Sequence, residues 1–158
     1  MTECRACEDI GAADRGDDPW AVARLETGYV RLNPNQYYRG ASFFVADQCV
    51  AELHELDRAD RDRHLADMAE VAHALFTAFR PRKLNYEALG NSVAHLHWWL
   101  TPRHHDDPRP QGPIWENPDF MARPWGRWQP SPTERDRLRA LLLDHLRARD
   151  VGIQRAFV

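Results

Sequence analysis

The longest hydrophobic pattern of the chain, over residues 58–80, predicts a helix. Its apolar positions recur at three- and four-residue intervals, which places them along one helical stripe. They are Leu65, Met68, Ala72, Leu75, Phe76 and Phe79. Pro81 ends this helix, because proline cannot continue the hydrogen-bond ladder. His54, His64 and His73 show no spacing that suggests a shared site, so we predict that they are surface histidines.

A second helix is predicted from a capping box at residues 131–134, with proline at the first helical position, to about residue 149. Its apolar stripe consists of Leu138, Leu141, Leu142 and Leu146. Residues 104–130, before this helix, are rich in proline and tryptophan. We predict an ordered loop there rather than a flexible linker. Its expected anchors are Trp115, Trp125 and Trp128.

Shorter apolar runs on both sides of the long helix predict strands. They cover residues 20–27, 29–33, 41–46, 83–89 and part of 90–103. Turns are expected near Gly28 and at Gly90, residues 34–36 are expected to form a loop, and Gly40 opens the next strand. This order of elements predicts an α+β fold, in which an antiparallel sheet of about five strands carries one long packed helix and a C-terminal helical extension.

The run at residues 90–103, GNSVAHLHWWLTPR, carries the candidate chemistry. Alternate side chains of a strand share a face, so His95, His97 and Trp99 are expected to point the same way. The turn at residues 90–92 adds an amide, a hydroxyl and free backbone N–H groups. Two imidazoles beside these donors can handle a phosphate; the alternative is two histidines on the polar face of an ordinary strand.

Composition limits the classes of protein that fit. A chain of 158 residues predicts one domain. The net charge of −3, with both signs interspersed, argues against a general nucleic-acid binder or a binder of acidic membranes. No apolar run reaches the ~18 residues of a spanning helix, and the N-terminus has no apolar signal core. We therefore expect a cytoplasmic protein.

The three cysteines are expected to be thiols or metal ligands rather than disulfides. Cys4 and Cys7 form a CxxC pair within the polar, acidic residues 1–18. A thioredoxin-like redox pair would lie between a strand and a helix, and no strand precedes this one. Two interpretations of the pair remain open: two surface thiols, or half of a zinc site that needs two further ligands.

The stretch NYEALGNSVAHLHWWLTPR resembles the signature of the histidine-triad (HIT) nucleotide hydrolases and transferases, His-φ-His-φ-His-φ-φ with φ apolar. Trp99 stands where the family has its third histidine. The earlier order of strand, loop, glycine, strand and helix resembles the first half of the HIT fold. The resemblance covers roughly residues 4–103 and implies a HIT-like domain over residues 1–115. Residues 116–158 would then form a Pro/Trp-rich extension with the last helix.

The resemblance implies a role for each residue of the candidate site. His97 corresponds to the nucleophile, which attacks a phosphate and forms a covalent nucleotidyl-histidine. Asn91 and Ser92 would stabilise charge on the non-bridging oxygens. Asn33 corresponds to a ribose contact, although an asparagine before proline is also a common turn former. The full set expected around the nucleotide is Asn33, Asn85, Asn91, Ser92, His95 and Trp99.

Trp99 restricts the expected reaction. An indole N–H cannot give up a proton near neutral pH, so Trp99 cannot act as the general acid of a complete triad. Phosphate leaving groups depart without a proton, whereas amines do not. The family's uridylyltransferase branch also lacks the third histidine. The first hypothesis is therefore a nucleotidyl hydrolase or transferase acting on a phosphoanhydride such as a dinucleoside polyphosphate. The alternatives are a nucleotide-binding protein with little turnover, or a zinc-stabilised interaction module.

Zinc-carrying bacterial HIT proteins imply a use for the CxxC pair. There it is joined by a histidine from the segment after the glycine-initiated strand and by the first triad histidine. Aligning QCVAELHEL on that segment puts Cys49, rather than His54, at the third position. The expected structural zinc site is Cys4, Cys7, Cys49 and His95, with three unrelated thiols as the alternative. The family also implies a homodimer.

Overall fold

A computed structural model of the chain describes residues 4–122 and 125–158. The helices are α1 (Arg5–Arg15), α2 (Arg58–Phe79), α3 (Pro118–Met121) and α4 (Pro132–Arg147). The strands are β1 (Ala21–Arg24), β2 (Gly28–Leu32), β3 (Ser42–Ala46), β4 (Lys83–Glu87), β5 (His97–Arg103) and β6 (Arg155–Ala156). The predicted α+β class with an antiparallel sheet is confirmed.

The strands form one six-stranded sheet in the order β4-β5-β3-β2-β1-β6. Five of these strands were expected. The sixth, β6, has only two residues and pairs with β1 at the edge of the sheet. Two residues carry no periodic pattern, so the sequence could not predict this strand.

The two faces of the sheet have different roles. Phe44 lies opposite Trp98 in the register of β3 with β5, and both pack into the main core with α2 and α4. Phe43 lies opposite Trp99 in the same register and belongs to the other face. That second face carries α1 and the segment after β5, and the candidate site lies there.

The predicted long helix is confirmed as α2. Asp57 caps its N-terminus by accepting a hydrogen bond from the backbone N–H of Asp60 at 2.8 Å. Arg80 ends it in the left-handed conformation, at φ 48°, just before Pro81. The predicted stripe is mostly turned toward the core, but Phe76 remains 46% exposed.

The prediction that His64 is a surface histidine was wrong. The side chain is 1% exposed and stacks on Phe44. Its Nδ1 lies 3.2 Å from the carbonyl of Thr27, and its Nε2 accepts a hydrogen bond from Nε1 of Trp98 at 3.1 Å. Both ring nitrogens thus have buried partners, which is how a histidine is accommodated in a core. No spacing in the sequence reveals such long-range partners.

Replacing His64 with glutamine is expected to weaken the pH dependence of stability. Burial lowers the pKa of His64 from 6.5, so the unfolded chain takes up the proton first as the pH falls. The stabilising contribution of neutral His64 is therefore fully present above about pH 6.5 and is lost below that value. Urea unfolding between about pH 7.5 and pH 5.5 measures this loss.

The matched control for this prediction is His73→Gln, an exposed position on the same helix. It should keep the parent's pH profile. Equal acid destabilisation of the parent and of His64→Gln would contradict the assignment of His64 as a buried neutral histidine.

Helix α1 was not predicted from the sequence. Its buried residues are the small Ala6 and Ala13, with Ile10 half-buried, so its apolar stripe is short and weak. Cys4 occupies its N-cap position, and Gly16 ends it at φ 83°, in the left-handed region that glycine tolerates. The CxxC pair therefore lies in the first turn of a packed helix.

The Pro/Trp-rich segment is ordered by short helical turns, as predicted. A 3₁₀ turn at Ile114–Glu116 is followed by α3, and a second 3₁₀ turn covers Trp125–Trp128. Trp115 packs beside Phe120, and Trp128 contacts the ring of Tyr37 at 4.9 Å. The side chain of Trp125, the third expected anchor, lies outside the described part of the chain.

The last helix begins where the sequence predicted. Ser131 caps α4 by accepting a hydrogen bond from the backbone N–H of Glu134 at 3.2 Å. The helix adds leucines to the main core, so the C-terminal segment packs on the sheet. None of the helices within residues 4–122 and 125–158 combines the length and the apolar character that crossing a bilayer requires.

Candidate functional site

A cavity of about 630 Å³ opens on the second face of the sheet. Its walls come from α1, the middle strands, the turn before β5 and the segment that follows β5. The residues used below from its lining are Asn33, Asn35, Phe43, Ser92, His97 and Trp99. Four of these residues, Asn33, Ser92, His97 and Trp99, belong to the predicted site, and the structure brings them together.

His97 is half-buried at the first position of β5 and lines this cavity. Its Nδ1 lies 2.7 Å from the main-chain carbonyl oxygen of His95. A carbonyl can only accept, so Nδ1 carries the proton and donates it to that bond. The neutral ring therefore has its lone pair on Nε2, the tautomer that a nucleophilic histidine needs.

Asn33 serves the turn and the cavity at once. Its side-chain oxygen accepts a hydrogen bond from the backbone N–H of Asn35 at 2.9 Å. This bond is the turn-forming role that the sequence offered as the alternative for Asn33. The residue is 3% exposed and lines the cavity. The two roles that the sequence presented as alternatives are compatible.

Asn35 is a cavity residue that the sequence did not single out. It is 3% exposed, and its side-chain oxygen accepts a hydrogen bond from the backbone N–H of Tyr37 at 3.0 Å. Its amide nitrogen Nδ2 is buried and has no hydrogen-bond partner within the part of the chain that the structure describes. In the sequence Asn35 is only a second asparagine after Asn-Pro, a pattern that indicates a turn.

Three predicted nucleotide contacts lie elsewhere. The side-chain oxygen of Asn85 accepts a hydrogen bond from Nη1 of Arg103 at 2.8 Å, away from the cavity lining. Asn91 is exposed in the turn, also outside the lining. His95 precedes β5, because Leu96 bonds through its backbone to Val50 and Ala46 before the strand pairing begins. It therefore does not share the cavity face with His97.

Trp99 belongs to an aromatic wall formed with Phe43 and Trp115, all three of which line the cavity. The ring of Trp99 meets Phe43 at 4.8 Å and 90°, and meets Trp115 at 5.2 Å and 64°. Nε1 of Trp115 donates a hydrogen bond to Oε1 of Glu87 at 3.1 Å. Burial raises the pKa of Glu87, although this hydrogen bond and nearby Arg103 oppose the rise.

Charged residues line the opposite side of the cavity, near α1. Arg31 of β2 is bonded to Asp9 at 2.8 Å and to Asp18 at 3.0 Å. Arg5 lies on α1 at the cavity wall. The charge of Arg31 is thus largely compensated within the protein, whereas Arg5 is exposed at the rim.

The four predicted metal ligands lie together beside α1. The side-chain ligand atoms of Cys4, Cys7, Cys49 and His95 all fall within 4.8 Å of one another. Nδ1 of His95 is 3.4 Å from Sγ of Cys4 and 3.6 Å from Sγ of Cys7. A zinc ion with Zn–S bonds of about 2.3 Å needs ligand separations of about 3.8 Å, so the cluster fits a tetrahedral ion.

The second nitrogen of His95 is also positioned for a metal ligand. Nε2 lies 2.8 Å from the main-chain carbonyl of Ala46, to which it donates, so Nδ1 is left as the basic nitrogen facing the cysteines. His95 is fully buried. His54, the alternative ligand, is exposed in a 3₁₀ turn and is not part of the cluster.

The pKa values of the two thiols of the CxxC pair are shifted in opposite directions. Burial alone would raise the pKa of Cys4, but hydrogen bonds from the backbone of Cys7 and from His95 lower it to about 7. Burial raises the pKa of Cys7 to about 12, reinforced by its neighbours Cys49 and Cys4. A thiolate at Cys4 thus suppresses ionisation of the neighbouring thiol of Cys7. A bound divalent cation reverses that order, because it favours every thiolate around it.

Sequence comparison assigns this α+β domain to a family. Residues 29–106 match the family model for the HIT domain. The chain therefore contains a HIT domain, as the motif predicted. No curated protein matches the chain in sequence.

Several solved structures share the fold. A histidine-triad protein from Bradyrhizobium japonicum aligns with 20% identity over 92% of this chain and 97% of its own, with a TM-score of 0.68. A histidine triad nucleotide-binding protein from Sulfolobus tokodaii aligns with 15% identity over 90% and 93%, with the same TM-score of 0.68. A zinc-bound histidine-triad protein from Mycobacterium smegmatis aligns with 16% identity over 92% and 94%, with a TM-score of 0.64.

Proposed function

We propose that the protein is a nucleotidyl hydrolase or transferase that attacks the α-phosphate of a nucleotide phosphoanhydride. The orientation of His97 is the observation that supports this proposal most directly. The histidine lines the cavity of a HIT domain, and its Nδ1 is held by the carbonyl of His95. Imidazole is neutral near pH 7, so it can approach a phosphorus centre surrounded by anionic oxygens.

The reaction proceeds in two displacements. Nε2 of His97 forms a bond to the α-phosphorus as the bond to the leaving oxygen breaks, and the leaving group takes the electron pair as an anion. Water or another acceptor then forms the second P–O bond and releases His97, and one proton passes to solvent. Nδ1–H stays bonded to the carbonyl of His95 throughout and stabilises the charge of the phosphorylated ring.

The nucleotide half of the substrate is assigned to the asparagine side of the cavity. Asn33 takes the ribose contact that the HIT resemblance implies, and the neighbouring Asn35 is a second amide in the same wall. Ser92 faces the cavity two residues after the Gly90 turn and contributes a hydroxyl to the phosphate oxygens. Asn85 and Asn91 remain predicted contacts that require movement of the turn or of the Arg103 network on substrate binding.

Trp99 supports a second candidate, a nucleotide-binding protein with little turnover. It occupies the position two residues beyond the nucleophile, where a general acid would assist the leaving group. The proposed reaction avoids this requirement only when the leaving group departs as a stable anion.

The two candidates are separated by incubating the protein with labelled dinucleoside polyphosphates and with free nucleoside monophosphates. We expect cleavage of the anhydrides and a trapped nucleotidyl adduct on His97. Binding of the monophosphates with every anhydride left intact would favour the second candidate. Binding of no nucleotide would reject both and favour the interaction module.

We propose structural zinc at Cys4, Cys7, Cys49 and His95. A zinc ion there would join the N-terminus of α1 to the loop after β3 and to the residue before β5. Elemental analysis of untagged protein is expected to find about one zinc per chain. Cys49→Ser should lower both the metal content and the melting temperature, because three ligands hold the ion less tightly.

His54→Ala is the control for the zinc prediction, since His54 is the nearest alternative ligand in the sequence. It should keep full metal content. Full retention in Cys49→Ser together with loss in His54→Ala would reverse the ligand assignment.

The HIT-like part is assigned to residues 1–115 and the extension to residues 116–158, although Phe120 of the extension packs against Trp115 beside the cavity. Free thiols that serve as ligands suit a reducing compartment, which supports a cytoplasmic protein. A homodimer is proposed from the HIT resemblance; β4 is an edge strand with an exposed Tyr86.

A further inference from the structure

Helix α1 is attached to the sheet more by polar contacts than by apolar packing. Its buried side chains are those of Ala6 and Ala13, and alanine buries little apolar surface. A cavity of about 30 Å³ lies between the helix and the sheet, so the packing there is incomplete. Toward the C-terminal end of the helix, the carboxylate of Asp14 accepts a hydrogen bond from the hydroxyl of Tyr29 at 2.9 Å. The position of α1 therefore depends on its polar contacts.

The cysteine and histidine cluster is the attachment of α1 at its N-terminal end. Cys4 occupies the N-cap position and Cys7 lies in the first turn. Their ligand atoms lie within 4.8 Å of those of Cys49 and His95, which belong to other parts of the chain. A zinc ion bound by all four side chains would fix this end of α1. Metal binding and the position of α1 are therefore linked.

The same helix forms one wall of the large cavity. Its contributions to the lining of this cavity of about 630 Å³ are Arg5, Ala6 and Asp9. Val45 lies opposite His97 in the register of β3 with β5, and it lines both this cavity and the small one beneath α1. Helix α1 thus covers the strand next to the nucleophile, and its displacement would open the cavity on this side.

Helix α1 also determines which positive charge is available to a substrate. Arg31 of β2 lies opposite Phe43 in the sheet register, so it shares the cavity with the aromatic wall. Its guanidinium is paired with Asp9 of α1 and with Asp18, which is 8% exposed and would still compensate Arg31 without α1. Arg5 forms no ion pair with any residue that the structure describes. It is thus the arginine left for a substrate phosphate, and it lines the cavity only while α1 is in place.

Resting on the proposed function and on the proposed zinc site, we propose that α1 is a metal-held wall of the nucleotide site. Arg5 contacts a phosphate of the bound nucleotide, and the metal ion at the cysteines keeps Arg5 in position. Nucleotide and metal stabilise each other's binding, because both favour the same position of α1. The coupling is reciprocal, so each ligand raises the affinity for the other by the same factor.

The coupling is tested on the full chain with zinc and with the nucleoside 5′-monophosphate that binds the metal-loaded protein most tightly. Zinc affinity is measured by competition with a chromogenic chelator, with and without saturating nucleotide. We expect zinc to bind about tenfold more tightly with the nucleotide, within the usual range of coupling factors. Calorimetry on metal-free protein should show nucleotide affinity reduced by the same factor. A mixture without protein corrects for direct binding of zinc to the nucleotide.

Arg5→Gln tests the phosphate contact without removing a metal ligand. It should keep the zinc content, bind the monophosphate about tenfold more weakly, and bind the corresponding nucleoside as the parent does. Arg15→Gln is the matched control, because Arg15 lies on the same helix but outside the cavity lining. It should keep the parent's affinity for the monophosphate. Equal affinities in all three proteins would exclude Arg5 from the site and overturn the proposal.

Hydrogen exchange of backbone amides identifies the element through which the coupling acts. In metal-free protein the amides of α1 should exchange faster, while those of β3 and β5 keep their protection. Nucleotide added to metal-loaded protein should slow exchange in α1. Unchanged exchange of α1 would overturn the proposal, because any coupling would then act through His95, whose carbonyl holds His97. Loss of protection throughout the sheet would also overturn it, since the metal would then support the whole domain.

Failure of this inference and failure of the proposed function give different results. Equal zinc affinities with and without a nucleotide that binds would overturn the coupling and leave the nucleotide site intact. Binding of no monophosphate to either form of the protein would reject the proposed function together with the coupling. No uptake of zinc would overturn the coupling, whichever nucleotide binds.

Discussion

His97→Ala is expected to abolish nucleotidyl transfer while the protein remains folded. The side chain lies at the cavity surface, so its loss removes the nucleophile without opening the main core. Loss of a covalent nucleophile reduces turnover by on the order of 10⁴-fold or more. Single-turnover kinetics with labelled substrate measures the effect, and the trapped adduct should disappear in the same variant.

The control for this prediction is His73→Ala, an exposed histidine on α2. It should retain the parent rate and the adduct. Circular dichroism and thermal unfolding of both variants report whether the fold is kept. Turnover at the parent rate in His97→Ala would remove His97 from the mechanism.

Trp99→His is expected to raise turnover of phosphoramidates by ~10²–10⁴-fold while changing anhydride turnover much less. The new imidazole would lie two residues beyond the nucleophile on the same strand face. There it can protonate a departing amine, which an anhydride leaving group does not require. An amidate with an aliphatic amine separates this effect from contact with the aromatic wall.

Trp115→His is the matched control, because it places an imidazole in the same wall but on a different element. It should leave amidate turnover low. A uniform fall of all rates in Trp99→His would show that Trp99 acts by filling space and stacking, and would reject the missing-acid explanation. Parallel measurement of both substrate classes on all three proteins distinguishes these results.

The sequence predicted those parts of the fold whose pattern is local. Helix α2 follows from its apolar periodicity, and the start of α4 follows from the capping box that begins at Ser131. The hydrogen bond between Nδ1 of His97 and the carbonyl of His95 is also local, because it joins residues two positions apart. The HIT signature itself is also a local pattern.

Features that depend on distant contacts were not predictable in this way. His64 looks like a surface residue until Thr27 and Trp98 are placed beside it. In the sequence, His95 belongs to an alternating pattern that predicts a strand. In the structure, the backbone of Leu96 bonds to Val50 instead, so β5 begins only after it. The contribution of Trp115 to the cavity depends on Glu87, which lies 28 positions earlier in the chain.

The cysteine and histidine cluster also constrains the order of folding. Its contacts join residues 91 and 88 positions apart, so the N-terminal pair cannot reach His95 until most of the HIT domain has been synthesised. At ribosomal rates of 5–20 residues per second, that interval is roughly 5 to 20 s. Closing so long a loop is entropically unfavourable until the sheet has brought its ends together. Capture of the proposed metal ion by all four ligands would thus be a late event, and it would lock α1 onto a sheet that has already formed.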